Sequence, residues 1–182
     1  MLKSLLHRYT RRFEARYSYD GTYMHELANS STAAFVRFAV MQTAGGSWRG
    51  EAPLKPWCAA GIAGALVEDC GPCVQIASDM AIEMGMPGEI IAALLSDRPT
   101  DQDAQLGFDF GRALLNASPD LDTLREQIET TWGKRALIAM ALRAMAARNF
   151  PVLKRAMGHA KVCQRVRIGN TDVAVNPTLK AA

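Results

Sequence analysis

An apolar segment at positions 57–67, with the sequence WCAAGIAGALV, most constrains how this chain can fold. It contains no charged residue and few β-branched ones, and it is too long for an ordinary strand, so it predicts a helix. A helix that is apolar on every side must be buried. The chain has 182 residues, of which 49% are hydrophobic and 21% charged, enough to surround such a helix with a core. We therefore expect residues 57–67 to form the centre of an all-α fold.

Directly after this segment comes the sequence EDCGPC, which places Cys70 and Cys73 three positions apart. Residues i and i+3 share one face of a helix, so the two sulfurs can approach closely enough to form a reversible disulfide. Asp69 is a suitable N-cap, and Pro72 suits the first turn of a helix, where a missing N–H costs nothing. Both thiols would then lie near the positive end of the helix dipole, which favours the nucleophilic thiolate.

Other roles for the cysteines fit the sequence less well. The tetrapeptide CGPC also occurs in thioredoxins, but there it follows a strand, whereas the Ala- and Gly-rich segment before it here predicts a helix. Zinc needs four ligands as a rule, and only Cys58 and Cys163 remain to join the pair. A purely structural pair of buried cysteines stays open. No metal and no cofactor are predicted.

Small residues follow the dithiol at a regular spacing: Ala81 lies eight positions after Cys73, and Gly85 lies four positions further on. Together with the apolar helix before the motif and the helices predicted after it, this pattern resembles the alkylhydroperoxidase D / carboxymuconolactone decarboxylase superfamily over about residues 57–150. The resemblance implies a compact multi-helix bundle that self-associates. It also implies that Cys73 attacks a small peroxide or disulfide substrate, that Cys70 is the resolving partner, and that a lipoyl or other dithiol protein re-reduces the pair.

The proton relay of that family is missing from this sequence. Peroxidase members carry a histidine four residues after the second cysteine, where this chain has Ala77, and usually another between the cysteines, where it has Gly71-Pro72. Their relay glutamate lies twelve residues before the first cysteine, where this chain has Cys58. Glu68 is the carboxylate nearest to the dithiol in sequence and is the expected substitute. The candidate catalytic residues are therefore Cys73, Cys70 and Glu68.

Two functions remain open at this point. The first is a thiol–disulfide or peroxide oxidoreductase that turns over slowly because it lacks general acid–base help. The second is a non-enzymatic or redox-responsive helical protein that kept the fold and lost peroxidase activity. Other side chains would replace the relay only if folding brought them to the dithiol; these are Asp79, Glu83, His25 and Glu51.

Charge is unevenly distributed along the chain, although the net charge is only +3. Residues 68–130 contain 13 acidic and 3 basic side chains, whereas residues 134–170 contain 9 basic and no acidic ones. This asymmetry predicts electrostatic complementarity, either inside one subunit or between subunits of a homo-oligomer, a dimer or trimer. The basic residues alternate with Leu, Met and Ala, as on the solvated face of a packed helix, so we expect no nucleic-acid partner.

The expected environment follows from the apolar runs and the cysteines. The sequence contains no run of 18 apolar residues, so no membrane span is predicted. The N-terminal apolar run is too short for a signal peptide. The four cysteines show no disulfide-framework spacing, which is typical of a reducing compartment. We therefore expect a cytoplasmic protein without a membrane partner.

One domain is predicted over residues 1–182, with a core at about 57–150, an N-terminal helical extension at 1–45, and a C-terminal helix and β-hairpin at 151–177. Periodicity and capping signals predict helices at 3–17, 22–27, from a cap at 30–32 onwards, 57–67, from the dithiol onwards, 89–96, 99–116, 118–132, 134–149 and 151–161, with a loop at 43–56. The expected core contacts of the third helix are Phe35, Phe38, Ala39 and Met41. Alternation at 164–168 and 171–175 around Gly169-Asn170 is typical of a two-residue hairpin.

Overall fold

A computed structural model of the chain describes residues 1–159 and 165–179. These residues form a bundle of α-helices with one short antiparallel hairpin, so the predicted all-α fold with a C-terminal hairpin is confirmed. The helices are α1 (Leu2–Tyr17), α2 (Thr22–Ser30), α3 (Thr32–Gly46), α4 (Leu54–Val67), α5 (Gly71–Glu83), α6 (Gly88–Leu95), α7 (Gln102–Asn116) and α8 (Leu121–Ala156). The strands are β1 (Arg165–Ile168) and β2 (Thr171–Ala174), and a 3-10 turn follows at Pro177–Leu179.

Helix α4 is the centre of the bundle, as its composition predicts. Every residue from Trp57 to Leu66 is buried, and the helix packs mainly against α7 and α8. Glycines allow this close packing, because a β-carbon at Gly64 would collide with the backbone of Ala144 and one at Gly107 with the backbone of Pro56. The small residues of the apolar segment therefore let three helices approach one another at backbone distance.

Helix α8 agrees with the prediction at Gly133 and differs from it at Pro151. Gly133, at φ 83° and ψ 168°, is not helical, so α8 consists of two helices joined by a kink, and the predicted helix end near Trp132-Gly133 is confirmed. Pro151 was expected to begin a new helix, but it lies buried inside α8. Proline removes one intrahelical hydrogen bond there, and α8 as a whole packs against α3 and α4. The predicted end of this segment, near Lys161, lies outside the described residues.

The loop predicted at 43–56 is shorter than expected, because α3 extends to Gly46 and α4 begins at Leu54. Pro56 lies in the first turn of α4, where backbone N–H groups have no intrahelical partner and proline is tolerated. Phe35 is buried as predicted, whereas Met41 is 55% exposed, so its predicted core contact is wrong.

A second apolar cluster joins the N-terminal helices to the body. Its buried members are Tyr19, Tyr23, Met24, Ala28 and Phe35, and partly buried residues of α5 and α8 pack against it. Arg16 of α1 also forms an ion pair with Glu83 of α5 at 2.8 Å. The N-terminal extension is thus docked on the bundle through both apolar and charged contacts.

The hairpin lies on α5 and α6 rather than standing alone. Val166 pairs directly with Val173, and both are buried, while Gly169 takes the positive φ of 58° that the tight turn requires. The side-chain amide of Gln75 donates to the carbonyl of Arg167 at 2.7 Å and accepts from its N–H at 2.6 Å. An α5 side chain therefore continues the hydrogen bonding of the hairpin edge.

Among the described residues, α8 is the one helix long and apolar enough to cross a membrane by length and composition alone, with a mean hydropathy of 1.3 over an 18-residue window. Core helices of globular proteins have the same property. Ala136, Met140 and Ala144 of α8 belong to the buried core that contains α4. The absence of a membrane partner remains a prediction.

Candidate functional site

The turn between α4 and α5 places the dithiol at the start of a helix, as predicted. Asp69 was expected to be the N-cap of α5, but its φ of 52° puts it in the left-handed turn before the cap. Cys70 is the N-cap instead, and its carbonyl accepts hydrogen bonds from the N–H groups of Cys73 and Val74, each at 3.0 Å. Pro72 lies in the first turn, as predicted.

Cys70 and Cys73 are joined by a disulfide, with their Cα atoms 5.2 Å apart. This separation lies within the usual range for a disulfide, so the CxxC turn needs no backbone rearrangement to close the bond. Cys70 and Cys73 are only 3% and 6% exposed, respectively. The pair is therefore a buried disulfide at the N-terminus of a helix, a position whose dipole favours a thiolate.

Cys73 lines a cavity of about 400 Å³ that is enclosed mainly by α1, α3, α5 and α8, whereas Cys70 does not line it. Ala77, where the resemblance expects a histidine, borders the same cavity one helical turn after Cys73. Most of the wall is apolar and includes Tyr9, Phe13, Ile76, Met80 and Phe150. A small molecule in this cavity would therefore meet Cys73 and not Cys70.

Arg143 supplies the cavity wall with a cation that the sequence analysis missed. Its guanidinium donates to the carbonyl of Gly46 at 3.0 Å, and the guanidinium carbon lies 4.5 Å from the centre of the Trp57 ring. Burial lowers the pKa of Arg143. The sequence does contain a signal, because Arg143 follows Ala136 and Met140 by seven and three positions on the apolar face of α8.

Glu83 is the one carboxylate among the described residues that line this cavity. It pairs with the exposed Arg16 and accepts a hydrogen bond from the hydroxyl of Tyr17 at 2.9 Å. The hydrogen bond from Arg16 lowers the pKa of Glu83, so this carboxylate is a weak base. No described histidine lines the cavity: His7 and His25 are bonded to each other at 2.6 Å.

The remaining expected relay groups also have partners elsewhere. Glu51 lies in an exposed ion pair with Arg135 at 3.0 Å. Asp79 accepts a hydrogen bond from Gln75 at 2.9 Å, and burial raises its pKa. Neither carboxylate borders the cavity. The structure therefore brings together Cys73 and Ala77 but no substitute for the relay histidine among the described residues.

Glu68, the third candidate catalytic residue, is held between two arginines of α8. Its carboxylate pairs with Arg148 and, at 2.8 Å, with Arg155, and its side chain is 5% exposed. Arg155 also donates to the backbone carbonyl of Glu68 at 2.7 Å. Glu68 does not line the cavity. Its position favours a structural role, in which it fastens the turn before Cys70 to α8.

Cys58 is buried in α4, and burial raises the pKa of its thiol to about 11. It is therefore a poor nucleophile near neutral pH. Cys163, the fourth ligand of the zinc alternative, lies outside the described residues. Within residues 1–159 and 165–179, no group of three or more His, Cys, Asp or Glu side chains is arranged to hold a metal ion.

Comparisons with protein-family models, with curated proteins and with solved structures found no match for this chain. The resemblance to the alkylhydroperoxidase D superfamily therefore rests on the cysteine motif, the spacing of the small residues and the surrounding helices.

Proposed function

We propose that the chain is a thiol–disulfide and peroxide oxidoreductase of the alkylhydroperoxidase D type, with Cys73 as the attacking and Cys70 as the resolving cysteine. One observation carries this proposal: the two sulfurs close a disulfide, and of the two cysteines it is Cys73 that faces a cavity large enough for a substrate. The helix N-terminus favours a thiolate at this position. The buried helix before the motif supports the kinship with that superfamily.

The proposed cycle conserves atoms and electrons. The Cys73 thiolate attacks one peroxide oxygen, the O–O bond breaks, and the alkoxide leaves and takes up a proton to become an alcohol. Cys73 is then a sulfenic acid. The Cys70 sulfur attacks it, the S–S bond forms, and hydroxide leaves as water after protonation. The peroxide gains two electrons, and a dithiol reductant such as a lipoyl group returns them to the disulfide by thiol–disulfide exchange.

Turnover in this cycle is slow, because both leaving groups need a proton. General acid–base help contributes typically about 10²–10⁴-fold to a rate. Ala77 occupies the position of the relay histidine, and Glu83 is engaged by Arg16. These features also favour the second candidate function, a redox-responsive protein whose disulfide forms stoichiometrically without appreciable turnover.

Thiol counting before and after peroxide treatment tests the proposal. The fully reduced wild type is expected to lose two of its four thiols and to recover them with a dithiol. Cys73→Ser should lose no thiols by disulfide formation between positions 70 and 73. Cys70→Ser should accumulate a sulfenic acid that a dimedone probe labels. Cys58→Ser is the matched control, because its buried thiol should not take part. Persistence of all four thiols in the wild type would reduce the pair to a structural role.

Ala77→His tests whether the missing relay limits the rate. The imidazole would border the cavity one turn from Cys73, and turnover should rise by about tenfold or more if proton transfer is limiting. Ala77→Asn is the matched control, since an amide has similar polarity but cannot exchange a proton near neutral pH. Equal turnover in both variants would contradict the assigned role of this position.

We further propose that the chain forms a homo-oligomer, a dimer or trimer. One support is the opposite charge of two sequence blocks, the acidic block at 68–130 and the basic block at 134–170. The other is the set of exposed apolar side chains on α3, of which Val40 and Met41 are each 55% exposed. Light scattering should return about two or three times the subunit mass of 19.8 kDa. A mass of one subunit over a wide concentration range would refute self-association.

A dithiol reductant protein, the absence of a nucleic-acid partner and a cytoplasmic location remain predictions.

A further inference from the structure

Three residues that line the Cys73 cavity each carry a buried nitrogen atom that has no hydrogen-bond partner among the described residues. These atoms are Nε2 of Gln42 on α3, Nε1 of Trp57 on α4 and Nε of Arg143 on α8. Trp57 as a whole is only 3% exposed. Buried polar groups in native proteins are nearly always hydrogen-bonded, so three unpaired groups from separate helices around one cavity require an explanation.

The three groups share a chemical character, because each of these nitrogens is a donor. An indole N–H and a guanidinium can only donate, so they require a partner with acceptor oxygens. The guanidinium of Arg143 is charged, and no carboxylate lies within ion-pair distance of it among the described residues. Guanidinium groups pair best with a carboxylate, which accepts two hydrogen bonds in one plane. The unpaired cation of Arg143 therefore suits the cavity to a single carboxylate.

The rest of the wall defines the other end of the ligand. Phe13, Ile76, Met80, Met84 and Phe150 present carbon and sulfur surface to the cavity. Glu83, the carboxylate of this wall, is already paired with Arg16, so Arg143 is the cation left for a ligand. One such cation beside a long apolar wall favours one negative charge on an apolar body, whereas a phosphate dianion would need more countercharge and hydration. The volume of about 400 Å³ lies in the range of about 300–1,000 Å³ that small-molecule pockets occupy.

We propose that the Cys73 cavity binds an amphipathic monocarboxylic acid, with its carboxylate against Arg143 and its apolar body along α1 and α5. The Trp57 ring, stacked on the guanidinium, fixes the cation and shields it from water. Binding of the acid is independent of redox chemistry. Only the extension that the peroxide substrate is a hydroperoxide of such an acid rests on the proposed function.

Calorimetric titration with decanoate and with the neutral 1-decanol tests the site. The oxidised protein is used without peroxide or reductant, so the titration measures binding alone. Decanoate should bind at least about tenfold more tightly than decanol, because only the acid supplies the anion for Arg143. Arg143→Gln should remove this preference. Arg135→Gln is the matched control, because Arg135 lies on the same helix but in an exposed ion pair with Glu51.

A second variant keeps the test informative if Arg143→Gln fails to fold. Ala147→Leu adds bulk to the cavity wall without altering the cation, and it should weaken decanoate binding while the protein keeps its wild-type circular dichroism. Equal affinity for acid and alcohol, unchanged decanoate affinity in Arg143→Gln, or no binding of either probe would overturn the inference. Normal decanoate binding without peroxide-dependent thiol loss would instead refute the proposed function alone.

Discussion

Substitution of Glu68 by glutamine separates a structural role from a catalytic one. The carboxylate is 5% exposed and pairs with Arg148 and Arg155, whose side chains are 42% and 53% exposed. Glutamine keeps the size of the side chain and one acceptor oxygen but removes the charge. The change therefore weakens the junction between α8 and the turn before Cys70 without opening a cavity.

The expected loss of stability follows from this asymmetric burial. Removal of one partner from a fully buried ion pair costs about 3–5 kcal/mol. Here water solvates much of both arginines, so they are not left as buried charges, and we expect Glu68→Gln to lower the free energy of unfolding by about 2 kcal/mol. For a chain of this size, that change corresponds to a fall in Tm of about 4–8 °C.

Urea denaturation of the oxidised protein measures this loss, and the rate of peroxide-driven disulfide formation in the folded protein provides the second readout. Glu51→Gln is the matched control, because its ion pair with Arg135 is 65% and 64% exposed and should contribute less than about 1 kcal/mol. If Glu68 is structural, the rate of disulfide formation in Glu68→Gln should stay within about twofold of the wild-type rate. Loss of a general base would instead slow disulfide formation by about 10²–10⁴-fold. Unchanged stability combined with such a rate loss would refute the structural role.

Three further predictions concern the bundle. Burial raises the pKa of Cys58 from 9.0 to about 11, so the contribution of its neutral thiol to stability should be lost as pH rises from about 9 to 11. In Cys58→Ala, the slope of unfolding free energy against pH should flatten over this range. Ala117, at φ 53°, ends α7 in the left-handed conformation, so Ala117→Gly should raise the unfolding free energy in urea by about 1 kcal/mol. Gly107→Ala should cost about 3 kcal/mol or more because its β-carbon meets the Pro56 carbonyl, whereas Gly45→Ala, with open space around it, should be neutral or stabilising in thermal unfolding.

Local signals in the sequence were sufficient to predict the elements that position the dithiol. The apolar composition of residues 57–67 predicted a buried helix, and Pro72 predicted the helix start. The hairpin followed from alternation around Gly169. Each of these features depends on neighbours in sequence, which is why the pattern alone identified it.

The cavity was not predictable in the same way, because its walls come from helices far apart in the sequence. Gln42, Trp57 and Arg143 meet only after α3, α4 and α8 have packed. Composition assigned Arg143 to a solvated face, although its spacing on α8 matches the buried positions. Likewise, Asp69 has the chemistry of an N-cap, but the chain needs a left-handed residue there to turn from α4 into α5.

Some residues of the basic block at 134–170 form ion pairs inside one subunit, which limits the charges that remain for self-association. Arg148 and Arg155 join this block to Glu68 of the acidic block inside one subunit. That junction is formed around a buried carboxylate, and salt screens buried pairs much less than exposed ones. An interface formed by the remaining exposed charges would be screened strongly. Raising the salt concentration should therefore dissociate an electrostatic oligomer before it lowers the unfolding free energy of the subunit. If both fall together, the same charges must serve the interface and the fold.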